Sequence, residues 1–84
     1  MKVTEVILAK ELELNTKNGS IFIDLREHTE ETTYYTIVAF ITFQGMTEQE
    51  IYYSDKINML SSAYQVYGGI IDAHTLCGHT VISK

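Results

Sequence analysis

The sequence predicts an α+β fold in a single domain, residues 1–84: an antiparallel sheet of four or more strands with one helix packed on a face. Three observations predict it. Apolar residues alternate with polar ones on both sides of Asn18-Gly19. Residues 33–43 form an unbroken β-branched and aromatic run. Residues 57–71 then repeat apolar side chains at helical spacing, and a change of period from two to about 3.6 marks the change from strand to helix.

The first two strands read as a hairpin. Asn-Gly is the preferred two-residue type I′ turn, because both positions need φ > 0. With Asn18-Gly19 as the turn, Leu14 faces Ile23, Leu12 faces Leu25 and Thr16 faces Ile21, all on one side. The same register pairs Glu11 with Arg26 and Lys10 with Glu27, and sets Glu13 against Asp24.

The third strand, 33–43, carries apolar groups on both parities: Tyr35, Ile37, Ala39, Ile41 and Phe43 on one, Tyr34, Val38 and Phe40 on the other. That pattern predicts a central strand covered on both faces. A helix would cover one face, and a partner subunit or second protein the other. Gln44-Gly45 turns the chain, and residues 48–53 read as a fourth strand. Thr47-Glu48-Gln49-Glu50 has the spacing of a helix capping box, but Ile51-Tyr52-Tyr53 favours the strand.

Ser54 or Asp55 is the expected helix cap. Ile57, Leu60, Tyr64, Tyr67 and Ile71 give the helical period, and Gly68-Gly69 is the expected stop, since glycine commonly follows a helix C-terminus. The helix is therefore placed at 55–67, with short strands at 70–76 and 79–83. A helix continuing to His74 leaves only the last strand. The expected core is Leu12, Leu14, Ile23, Leu25, Ile37, Ile41, Leu60, Tyr64 and Val81.

Composition narrows the function. Eleven acids against six Lys/Arg give a net charge of −5, which disfavours direct contact with a polyanionic nucleic acid. Seven of the acids fall in residues 1–31, whereas Thr32–Thr47 and Ile57–Ile71 carry no charge. One cysteine, Cys77, rules out an intrachain disulfide and suits a reducing compartment. No run approaches the roughly 20 apolar residues of a membrane span, so the expectation is a soluble, cytoplasmic protein.

Chemistry-bearing motifs are sparse. His74, Cys77 and His79 are ligand types, but their spacing fits no common zinc motif and one cysteine is few for a structural site. As a nucleophile–base pair, Cys77 and a histidine need an orienting acid. Asp72, the one local acid, falls out of phase with them. No Gly-rich phosphate loop is present. No catalytic residue, metal or cofactor is expected.

The surface offers more. Tyr34-Tyr35 and Tyr52-Tyr53 lie in strands, and alternation sends one ring of each pair to each face. Exposed tyrosines are favoured at protein interfaces. Glu27, Glu30, Glu31 and Tyr34 form one candidate partner-binding group, and Glu48, Glu50 and Tyr52 another. Pairing of the third and fourth strands is expected to bring the two groups together.

The expected function is thus non-enzymatic protein binding: a small acidic inhibitor that occupies a basic, nucleic-acid-handling surface of another protein. In size and charge the chain is like the small accessory proteins of phages and mobile elements, or antitoxins and immunity proteins; the likeness involves no motif. A different class is a dimeric binder of a nucleotide or metabolite, with Tyr64 and Tyr67 stacking on the ligand beside Gly68 and Gly69. A homodimer is expected on either reading, because the two-sided third strand has more apolar surface than one helix hides.

Overall fold

A computed structural model describes residues 2–15, 18–44 and 46–82; the side chains of 51–53 lie outside the described set. The fold is α+β. The elements are β1 (Val3–Glu13), β2 (Gly19–Thr29), β3 (Thr33–Phe43), β4 (Gln49–Tyr53), α1 (Leu60–Leu76) and β5 (Thr80–Val81). The strands form one antiparallel sheet in the order β4-β3-β2-β1-β5. The third strand is interior, as expected, paired with β2 on one side and β4 on the other, and β2 is the middle strand of the five. Among the described residues no helix is long and apolar enough to cross a membrane.

The β1–β2 register differs from the two-residue turn. Leu12 faces Ile21, Glu11 faces Phe22 and Lys10 faces Ile23. Thr16 and Lys17, inside the connecting loop, lie outside the described residues. Gly19 opens β2 instead of completing a turn, and its partner is Phe43. A Cβ on Gly19 would lie 2.6 Å from the Thr42 carbonyl oxygen. Close backbone approach is thus what this glycine provides. The observed register is slipped by four residues from the expected one. An even slip keeps every side chain on its face, so Leu12, Ile23 and Leu25 still point into the core.

A β-bulge interrupts β1 between Val6 and Leu8, where Val6 faces Arg26 and Leu8 faces Leu25. The extra residue is Ile7. Two residues opposite one break the alternation locally, and Ile7 and Leu8 both pack against the core.

The core is a single apolar layer between the sheet and α1. Leu12, Ile21, Ile23, Leu25, Tyr35, Ile37, Ala39, Ala63 and Tyr67 are buried in it, with Leu14 and Ile41 partly buried at its margin. The Tyr67 hydroxyl donates to the Ile23 carbonyl at 2.6 Å. Burial, followed by the Asp24 charge, pushes its pKa up to about 12. The expected core members Leu60, Tyr64 and Val81 are exposed instead. The helix turns Ala63 and Tyr67 inward, which carries Leu60 and Tyr64 to its flank.

Both ends of the helix differ from the sequence expectation. Its N-cap is Met59, with no side-chain capping bond. Ser54 bonds to β3 instead. Its Oγ accepts the Ile37 N–H at 2.8 Å, and its own N–H donates to the Ile37 carbonyl at 2.9 Å. The side chain thus extends the ladder where β4 ends. Residues 55–59 are not helical, apart from an isolated bridge between Ile57 and Tyr35. At the other end the helix runs through Gly68-Gly69, and residues 70–76 are helix rather than strand. The stop lies at Gly78, with φ +95°. The Gly78 N–H bonds the Thr75 carbonyl at 3.0 Å and the His79 N–H bonds the His74 carbonyl at 3.2 Å. These two bonds make a Schellman cap, which requires a left-handed residue at this position. Asn15 fastens the cap to the sheet, since its Nδ2 donates to the Cys77 carbonyl at 2.9 Å.

Candidate partner-binding face

The helix covers one face of the sheet. The opposite face has no second layer among the described residues, and alternation with the observed register specifies its rows. Thr4, His28 and Tyr34 form the first row. Val6, Arg26 and Thr36 form the second, and Ala9, Asp24 and Val38 the third. The fourth crosses four strands: Glu11, Phe22, Phe40 and Glu50. Glu13, Ser20 and Thr42 close the face at the β1–β2 loop end. Thr36 and Val38 are buried even here.

The first two rows are tied by polar contacts. His28 Nε2 lies 2.7 Å from the buried Thr36 hydroxyl, and Nδ1 lies 3.1 Å from the Thr4 hydroxyl. The His28 ring stacks on Tyr34 with centroids 4.7 Å apart. Lys56 Nζ sits 4.4 Å from the Tyr34 ring centroid. The Tyr34 hydroxyl donates to Glu30 at 2.8 Å. Burial lowers the His28 pKa, and Arg26 adds to the effect. The hydrogen bond from Tyr34 lowers the Glu30 pKa. This end is an internally paired polar clamp.

The other half has a different character. Phe22 and Phe40 are direct cross-strand neighbours, both half-buried, and aromatic pairs of this kind stabilise a sheet. The Arg26 guanidinium lies 5.5 Å from the Phe40 ring centroid and 3.6 Å from Asp24 Oδ2. Arg26 Nε is buried and has no hydrogen-bond partner among the described residues. Glu11, Glu13, Asp24 and Glu50 stand on this half against one cation, Arg26, among the described residues. A polar groove of about 510 Å³ adjoins it, lined by Glu13, Leu14, Asn15, Asn18, Gly19, Ser20 and Gln44.

The residues singled out from the sequence are dispersed. Tyr34 lies on the open face and Tyr35 in the core, as alternation requires. Glu27 faces Tyr35 on the helix side. Glu30 and Glu31 are exposed in the β2–β3 turn. Glu48 and Glu50 are exposed at the far end of the β3–β4 pair, where Glu50 faces Phe40. Strands three and four do pair, yet the two acidic groups lie at opposite ends of β3. Thr33 to Phe40 spans about 23 Å at 3.3 Å per residue. The Tyr52 side chain lies outside the described residues; its backbone faces Ala39. Phe22 was the missed signal: a large aromatic on the parity opposite to Ile21, Ile23 and Leu25.

The alternative sites fare differently. Tyr67 is buried with its hydroxyl engaged, Tyr64 is exposed, and Gly68 and Gly69 lie inside the helix. The His74 and His79 rings lie 5.7 Å apart at the cap, and Cys77 is exposed. Burial, then His79, lowers the His74 pKa. The Asn15 N–H donates to His79 Nδ1 at 3.4 Å. Among the described residues no three His, Cys, Asp or Glu are grouped to hold a metal ion. No family model matches the chain, and no curated protein or solved structure shows significant similarity to it.

Proposed function

We propose that this protein is a non-enzymatic binding module whose open sheet face receives a basic surface of another protein. The observation that carries the reading is the row Glu11–Phe22–Phe40–Glu50: an aromatic pair with a carboxylate on each side. Aromatic rings supply contact area and attract cations to their faces. Carboxylates beside them favour arginine, whose planar fork pairs with them through two hydrogen bonds. The protein's own Arg26 illustrates the fit, because it lies over Phe40 beside Asp24. The negative charge of the chain steers a positive partner toward this face.

Positive protein surfaces of this kind handle nucleic acid, so the acidic face acts as an inhibitor by occupying such a surface. The remaining acids then serve as rim: Glu48 next to the aromatic row, Glu30 and Glu31 at the far end.

The test compares the wild-type chain with Phe22→Ser and Glu50→Lys, each confirmed as folded by its melting temperature. All three are immobilised and exposed to lysate of the native host. The expected result is one basic protein, retained stoichiometrically by wild type, released by high salt and lost from both variants. Equal retention by the folded variants, or no retained protein, would overturn the proposal.

A further inference from the structure

The helix carries a stripe that neither the core nor the open sheet face uses. Met59 at the N-cap and Ser62, Val66, Gly69, Ala73 and Leu76 within the helix recur at spacings of three, four, three, four and three. This is the 3.5-residue period of a helix–helix seam. It lies about a quarter of a turn away from Ala63, Tyr67 and Ile70, which face the core. The large members are open to solvent: Leu76 is 88% exposed, Met59 63% and Val66 40%. A Cβ on Gly69 would meet no atom within 4 Å among the described residues.

We infer that this stripe is the contact between two copies of the chain, joined helix to helix in antiparallel fashion. The sequence of the stripe is complementary to itself. A two-fold axis passing at the level of Tyr67 and Gly68 sets Met59 against Leu76 of the second copy. It sets Ser62 against Ala73, and Val66 against Gly69. Val66 fits over a glycine, Met59 meets Leu76 as two flexible apolar chains, and the small pair Ser62 and Ala73 lets the helices approach closely. A two-fold contact uses the same patch on both copies.

Charge selects the same arrangement. The chain has a net charge of −5, so most of its surface repels a second copy. The stripe bears no charge, and antiparallel helices place each positive N-terminal end beside a negative C-terminal end. Area sets the strength. A 17-residue helix is about 25 Å long. A strip about 15 Å wide along it covers on the order of 400 Å² per copy, roughly half the ~800 Å² of a standard stable interface. The dimer is therefore concentration-dependent. It leaves both open sheet faces free, on the outside of the pair.

Sedimentation equilibrium across a hundred-fold range reaching high micromolar concentration tests it. The wild-type mass is expected to rise from 9.6 kDa toward twice that value. Leu76→Glu, at a position too exposed to support the fold, stays monomeric throughout. Val66→Glu provides a second disrupting variant, and circular dichroism verifies that both fold. Cross-linking tests the direction. In a Cys77→Ser background, mixed Met59→Cys and Leu76→Cys chains form a mixed disulfide with oxidised glutathione, and neither chain alone links to itself. A wild type that stays monomeric, folded variants that dimerise like wild type, or Met59→Cys chains that link to one another would overturn the inference.

Discussion

Replacing Gly68 by alanine distinguishes two accounts of the helix by the sign of one number. The helix runs unbroken from Leu60 to Leu76, which places Gly68 in its interior. A Cβ added there meets nothing within 4 Å among the described residues, so no packing penalty from them offsets the gain in helix propensity. Alanine is favoured over glycine in a helix interior by about 0.8–1.0 kcal/mol, partly because it restricts the unfolded chain. For 84 residues the unfolding entropy is roughly 0.18 kcal/mol/K, so the expected rise in Tm is about 5 °C. Gly68 is off the proposed dimer stripe, so the rise is independent of protein concentration. Circular dichroism melts read it directly. Urea titration should show a higher midpoint with an unchanged slope. A helix that stopped at Tyr67 would put Gly68 in the left-handed capping position, where alanine costs about 1 kcal/mol. A fall in Tm of similar size would therefore refute the continuous helix.

The true stop gives the mirror experiment. Gly78→Ala forces a side chain into φ +95° and brings its Cβ to 2.5 Å from Asn15 Nδ2; the expected loss is about 1–2 kcal/mol, measured by the same melts, and an unchanged Tm would exclude the Schellman cap. His28 supplies a pH dependence. Its folded pKa lies below 6.5, so between that lower value and 6.5 the unfolded chain binds more protons. Its contribution is present above pH 6.5 and is lost as pH falls through the folded pKa. His74 shifts in the same direction. Melting temperature is therefore expected to drop between pH 7.5 and 5.5, less steeply in His28→Gln, and a flat wild-type profile would contradict the assignment.

The fold class and the sides of the strands were legible in the sequence because alternation is a local property. Leu12, Ile23, Leu25 and Ile37 fall in the core under either hairpin register, since a slip of four residues moves no side chain across the sheet. The register itself depends on the loop and on the backbone contact of Gly19 with Thr42, and neither is local. The helix end was misplaced for a related reason. Gly68-Gly69 is a strong local stop, but Ile70 and Ile71 pack against the core and carry the helix past it. Gly78, nine residues beyond Gly69, holds the geometry that ends it. The candidate face needed both answers. Glu11, Phe22, Phe40 and Glu50 come from four strands and become one row only when three registers are known.

The bulge at Ile7 has a consequence for the life of the protein at high concentration. Among the described residues β5 pairs with Leu12 and Glu13 of β1, and the Ile82 N–H bonds the Glu11 carbonyl. From Val3 to Lys10 no strand among the described residues pairs with the outer side of β1, so this stretch is an edge of the sheet. A long regular edge of this sort is a template on which further strands can grow into fibres. The extra residue spoils the even spacing of donors and acceptors midway along it, and Lys10 adds a charge beyond. An irregularity that lets two apolar side chains reach the interior is thus also a safeguard against polymerisation. Deleting Ile7 would straighten the strand and remove it.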